Sequence, residues 1–185
     1  MSINKEKVIQ TTVQLVDKEG LNNLSLKLVA DNLGIRTPSL YNHISNLDDL
    51  LREVAHKGMS EMNNLMTQAA IGKIGANAIK SLCCAYFEYM IEHPGVYETI
   101  QWATWHGNSE TTELFNNYKA ILTKLIYSCN LQKEKTNEIL DLLIGIIHGY
   151  TTMNLGKAIS KPAETTNELI IAIDTVLVGV YQKYS

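Results

Sequence analysis

The sequence predicts an all-α protein, and three observations carry that reading. Apolar residues recur at spacings of three and four along nearly the whole chain, β-branched residues seldom alternate with polar ones, and only three prolines interrupt 185 residues. The expected architecture is an N-terminal three-helix helix-turn-helix domain followed by a larger helical domain, about nine helices in total.

The first helix is expected over about residues 4–19, with Val8, Thr12, Leu15 and Val16 on one face and Gly20 in the place of a C-terminal cap. Ser25 reads as the N-cap of a second helix, from Leu26 to about Asn32. Its inward stripe is Leu26, Val29, Ala30 and Leu33, and Gly34 ends it. Thr37-Pro38 reads as the start of a short third helix, Pro38 to about His43: the hydroxyl caps a free N–H, and the missing proline donor costs nothing at the first helical position. A fourth helix begins near Asn46, places Asp48 and Asp49 in a first turn where carboxylates suit the dipole, and reaches about Ala70. Beyond a glycine-containing link at about 71–75, helices are expected at about 76–92, 95–105, 110–129, 134–159 and 163–183. His93-Pro94-Gly95 breaks the first two of these, and Lys161-Pro162 precedes the last.

Composition narrows the function classes. No run approaches the roughly 18 uncharged apolar residues of a membrane span, and the charges in MSINKEKVIQ leave no signal-peptide core. A soluble, cytoplasmic chain with no membrane partner is expected. Cys83, Cys84 and Cys129 cannot all pair within one chain and match no zinc pattern, so they read as core, with a thiol-sensing role for adjacent Cys83 and Cys84 as the alternative. His56, His93, His106 and His148 have no partner at ligand spacing, and neither a phosphate loop nor a nucleophile elbow is present. No enzyme activity, no metal and no cofactor are expected.

Two short helices joined through Gly34 make either a helix-turn-helix or an ordinary helical corner. The string LSLKLVADNLGIRTPSLYNHISNLDDLL, Leu24 to Leu51, decides between them, because it resembles the DNA-binding segment of TetR-family regulators almost position for position. That resemblance implies a DNA-binding domain over 2–62, with the helix-turn-helix at about 25–44, and an effector-binding and dimerisation domain over 63–185. The short third helix would be the recognition helix, and Tyr41 and His43 would hold phosphates. The chemistry agrees, since a phenol and an imidazole can each donate to a phosphate oxygen. Thr37 and Ser39 add hydroxyls beside Pro38, and Asn42 and Arg36 suit adenine and guanine edges respectively. Leu40 should face the core, with Ile44 as a packing residue. Leu47 stands where the family often carries a phosphate-binding lysine. Over residues 1–57 seven Lys or Arg face seven Asp or Glu, leaving Lys5, Lys7, Lys27 and Arg36 as the basic candidates.

In the C-terminal part, His93-Pro94-Gly95 and His148-Gly149 resemble motifs of a subgroup named for a Trp-His-Gly pattern, although Ile144 replaces the expected tryptophan and a literal Trp105-His106-Gly107 occurs elsewhere. The last two helices are apolar on several sides, which suits an intersubunit four-helix bundle or a monomer core. Ile139, Leu143, Ile146, Gly149, Leu169, Ile173, Val176, Leu177 and Val180 are the expected homodimer residues. Aromatic side chains concentrate between residues 86 and 118. Tyr86, Trp102, Trp105, Phe115 and Tyr118 are the candidates for a small apolar or aromatic effector, or else core. The expected function is transcriptional regulation: a repressor released from double-stranded operator DNA by a ligand. The alternatives are a helical small-molecule carrier or interaction protein without operator reading, and an enzyme with a helical metal site.

Overall fold

The computed structural model describes residues 3–159 and 164–185. Among these residues it contains α1 (Lys5–Glu19), α2 (Leu26–Leu33), α3 (Thr37–Leu40), α4 (Leu47–Ala70), α5 (Gly75–Glu92), α6 (Pro94–His106), α7 (Ser109–Tyr127), α8 (Thr136–Leu155) and α9 (Thr165–Tyr184), with single 3-10 turns at Leu21–Asn23 and Lys133–Lys135. The expected Lys161-Pro162 break and the start of the last helix at 163 lie outside the described residues. None of the described helices is long and apolar enough to cross a membrane.

The helices form two compact units. The first comprises the chain up to Ser60 together with His93–Leu114; the second comprises Glu61–Glu92 and Phe115–Ser185. The boundary expected near residue 62 is thus supplemented by a second excursion, in which α6 and the start of α7 join the N-terminal helices.

In the first unit Val8, Val16, Val29, Ala30, Leu40, Leu50 and Val54 are fully buried. The ends of α1 follow local rules: Asn4 Oδ1 accepts from Lys7 N, and Gly20 leaves the helix at a φ of 80°. The reason α6 joins this unit lies in two residues. Asp17 on α1, whose side chain is 19% exposed, accepts hydrogen bonds from Gly95 N (2.9 Å) and Val96 N (3.1 Å) through Oδ1, and its Oδ2 lies 2.8 Å from His93 Nδ1. It therefore caps the first turn of α6 from a distant part of the sequence, a position where an anion is favoured. Gly95 allows the approach, because a Cβ there would collide with the Val16 carbonyl and sit 2.5 Å from Asp17 N. Glu98 adds a bond from Leu21 N. His56 of α4 is buried, with Nε2 2.7 Å from Thr111 Oγ1 and Nδ1 3.3 Å from Glu110 Oε2.

In the second unit α5 packs against α8 and α9, which also pack against each other. Buried in this unit are Ile79, Leu82, Cys83, Phe87 and Met90 of α5, Leu143 and Ile147 of α8, Leu169, Ile173 and Leu177 of α9, and Tyr118, Leu122 and Ile126 of α7. Helix α8 stops at Leu155 rather than near 159. Lys157 turns left-handed and Ala158 N bonds back to Met153 O, so Ile159 is buried without being helical.

The dimer residues expected from the sequence divide between the unit's own core and its surface. Ile139, Leu143, Leu169, Ile173, Leu177 and Val180 are buried by the unit's own packing. Ile146 and Val176 are half-buried, and Gly149 is exposed. The face left open runs through Leu142, Gly145, Gly149 and Met153 of α8 and through Ile171, Thr175 and Val178 of α9. On helices apolar nearly all round, periodicity cannot tell which stripe α5 will take.

Candidate functional site

The helix-turn-helix is built by local chemistry. Ser25 Oγ accepts from Leu28 N at the start of α2. At its end Gly34 takes the left-handed conformation (φ 67°, ψ 30°), Gly34 N reaches Asp31 O and Ile35 N reaches Ala30 O, the paired bonds of a Schellman motif. Helix α3 then starts one residue earlier than expected. Arg36 holds the N-cap position with extended backbone and no side-chain cap bond, so Thr37 is the first helical residue rather than the cap. After Leu40 the chain continues as tight turns, with His43 N and Ile44 N both donating to Leu40 O.

Leu40 is fully buried and Ile44 nearly so, and these two anchors turn the other side chains of the segment outwards. Arg36, Pro38, Ser39 and Asn42 are exposed, as is Lys27 on α2; Tyr41 is 56% exposed, and Thr37 and His43 are half-buried. One short stretch thus presents a phenol, an imidazole, an amide, two hydroxyls and a guanidinium, a set suited to phosphate and base-edge contacts. Of the basic candidates, Lys5 is held by Glu53 (2.7 Å), which raises its pKa through a hydrogen bond against a smaller desolvation penalty. Lys57 is likewise held by Glu6. Among the described residues Lys7, Lys27 and Arg36 have no ion-pair partner.

The aromatic candidates separate. Trp102 and Trp105 lie on α6 in the first unit, Trp102 half-buried with its ring stacked on His106 (centroids 4.6 Å apart) and Trp105 86% exposed. Tyr86, Phe115 and Tyr118 lie in the second unit, with Phe115 half-buried. Tyr86 and Tyr118 are buried and stacked, centroids 5.7 Å apart, and Tyr86 Oη lies 3.3 Å from His148 Nδ1. Burial pushes the Tyr118 phenol up and the His148 imidazole down from their ordinary values. Cys83 is buried with its thiol also pushed up, Cys84 is half-buried and shifted the same way, and neither is a ready thiolate. Among the described residues no group of His, Cys, Asp or Glu is placed to hold a metal.

A family model described as tetracyclin repressor-like, C-terminal domain, matches residues 79–176, more than half of the chain. The chain belongs to the TetR family. An uncharacterised helix-turn-helix-type transcriptional regulator of Bacillus subtilis, YobS, is 28% identical over 97% of this TetR-family chain and 94% of its own. The same fold appears in a Rhodococcus protein of unknown function, with a TM-score of 0.87 at 15% identity, covering 97% of this chain and 96% of that one. It appears again in a TetR variant of Acinetobacter baumannii solved with minocycline, with a TM-score of 0.74 at 14% identity, covering 100% and 99%. Two pairings in this TetR chain had no signal in its sequence: the Asp17 cap joins residues 78 positions apart, and the Tyr86–His148 pair spans 62. The His93-Pro94-Gly95 motif marked one end of the first contact but not its partner.

Proposed function

We propose that this TetR-family chain is a homodimeric, sequence-specific DNA-binding regulator, a repressor whose hold on operator DNA is relaxed by a small molecule bound in the second unit. The observation that carries the reading is the exposure of Ser39, Tyr41 and Asn42 on a segment fixed from behind by buried Leu40 and Ile44. Such a segment can enter a major groove without losing core contacts.

Dimerisation through α8 and α9 is supported by the open face. Leu142 (45% exposed), Ile171 (64%) and Val178 (57%) are apolar and uncovered, and a Cβ at Gly145, Gly149 or Gly179 would meet nothing within 4 Å. Nothing inside the chain requires glycine there, and each costs about 1 kcal/mol relative to alanine in a helix. A second helix approaching closely would explain the choice. Placement of the effector around Tyr86, Phe115 and Tyr118 is supported by their position in the second unit, and the Acinetobacter protein of the same fold was solved with a small molecule, minocycline. The Trp-His-Gly subgroup rests on His93-Pro94-Gly95 and His148-Gly149.

Selection of bound sequences from random duplex DNA by purified protein tests the reading, and repetition with candidate ligands tests release. Enrichment of a two-fold symmetric site is expected. Tyr41→Phe and His43→Ala should each weaken binding to every sequence by a similar factor, about tenfold or more, because a donor to a charged phosphate is lost. Relaxed preference at one base position would instead place that residue on a base edge. The Lys5–Glu53 and Lys57–Glu6 pairs favour one other reading, a ligand carrier that no longer reads DNA. It predicts no enriched sequence at all.

A further inference from the structure

Tyr118 is 4% exposed, and its hydroxyl is fully buried with no hydrogen-bond partner. Buried hydroxyls are almost always bonded, because removing one from water without replacing the bond is costly. A leucine or phenylalanine would fill the same place at no such cost. The hydroxyl does not stand in a purely apolar setting: its ring stacks on Tyr86, whose own hydroxyl lies 3.3 and 3.4 Å from the two ring nitrogens of His148. Three elements, α5, α7 and α8, therefore bring two phenols and an imidazole into one region of the second unit.

Every group in this cluster is uncharged near neutral pH. Burial raises the phenol of Tyr118, with the Cys83 thiol adding to the effect, and lowers the imidazole of His148. Cys83 is itself buried and protonated. An ion entering here would lose its water among side chains that burial holds in their neutral forms. A neutral molecule would lose little, gain aromatic surface to pack on, and supply the acceptor that Tyr118 lacks.

We infer that Tyr118, Tyr86 and His148 form the recognition centre for an uncharged, flat molecule bearing a carbonyl oxygen, with Tyr118 Oη donating to that oxygen. The inference rests on the regulator reading above and assigns the chemistry of its effector. Two clefts of about 430 and 460 Å3 open on this unit, and Tyr118 lines neither. A ligand would have to open its own space there, and the half-buried His148 is the most exposed member of the cluster. A site closed in one conformer and open in another binds its ligand only in the second. That is the difference in affinity a ligand needs to shift an equilibrium.

The test uses three probes of one outline: acetophenone, benzoate and ethylbenzene, titrated into the full-length protein and followed by calorimetry and by NMR of the tyrosine rings. Acetophenone should bind with a dissociation constant of about 1 mM or below, the range open to a ligand of nine non-hydrogen atoms. Benzoate should bind about 100-fold more weakly at neutral pH, and ethylbenzene about tenfold more weakly. Tyr118→Phe should remove the advantage of the ketone over ethylbenzene while leaving ethylbenzene unchanged, and its melting temperature should equal or exceed that of the parent. Benzoate binding as well as the ketone, an unchanged ketone advantage in Tyr118→Phe, no ketone binding at 10 mM, or a lowered melting temperature would each overturn the inference. None of these outcomes touches operator selection, so the regulator reading stands or falls separately.

Discussion

Val178→Asp is expected to leave each chain folded, convert the dimer to a monomer, and weaken operator binding by about 10²- to 10⁴-fold, the advantage lost when one of two linked reading heads is removed. The side chain is 57% exposed within the chain, so the carboxylate costs the monomer little. In a symmetric interface two unpaired carboxylates would instead be desolvated at once, which is far more expensive. Leu177→Asp is the contrast. Leu177 is 2% exposed, and the same charge there should unfold the unit whether or not it dimerises. Sedimentation and circular dichroism distinguish the two: a monomer with full helix content for Val178→Asp, and loss of helix for Leu177→Asp. A Val178→Asp protein that remained dimeric and bound operator normally would move the interface away from the open face of α8 and α9.

The second large effect is expected at Gly95. Gly95→Ala places a methyl group against the Val16 carbonyl and Asp17 N, both backbone atoms that cannot rotate away. The substitution forces α6 off α1 and should cost about 3 kcal/mol or more, lowering the melting temperature by roughly 6–12 °C in a chain of this size. Displacement of α6 also pulls Gly95 N and Val96 N from Asp17 Oδ1. Asp17→Ala should therefore destabilise in the same direction by a smaller amount, about 1–2 kcal/mol, the usual worth of a helix cap. A thermal melt of each variant checks the order. Equal stability of Gly95→Ala and the parent protein would mean that α1 and α6 do not approach as closely as the glycine permits.

What could be read from the sequence follows the distance over which each signal acts. Ser25 and Gly34 act on neighbouring backbone groups, and both mark the ends of α2 where the structure has them. Leu40 and Ile44, which the family resemblance assigns to packing, are both buried. Thr37 misleads by one residue because threonine before proline fits two positions in a first turn, and only the extended backbone of Arg36 separates them. Farther signals fade. Nothing in residues 4–19 announces that Asp17 will cap a helix beginning at Pro94. The stripes on α8 and α9 are real, but with apolar residues on every side, the choice between own core and open face is made by where α5 lies. The tryptophans of α6 carry the same ambiguity, since an aromatic side chain has the same period in a core, in a ligand site or in solvent, and Trp105 stands in solvent.

The pairing of Lys5 with Glu53 and of Lys57 with Glu6 bears on how the protein finds its site in a chromosome. Of the basic residues expected at the DNA, Lys7, Lys27 and Arg36 have no ion-pair partner among the described residues. If these three on each head of a dimer meet phosphates, about six condensed counterions are displaced, and the logarithm of affinity should fall with that of salt at a slope near −5. A shallow slope means weak adhesion to the millions of base pairs that are not the operator. A regulator that bound in this way would spend less of its time on decoys and would depend for its residence at the operator on the edges of bases more than on the charge of the backbone.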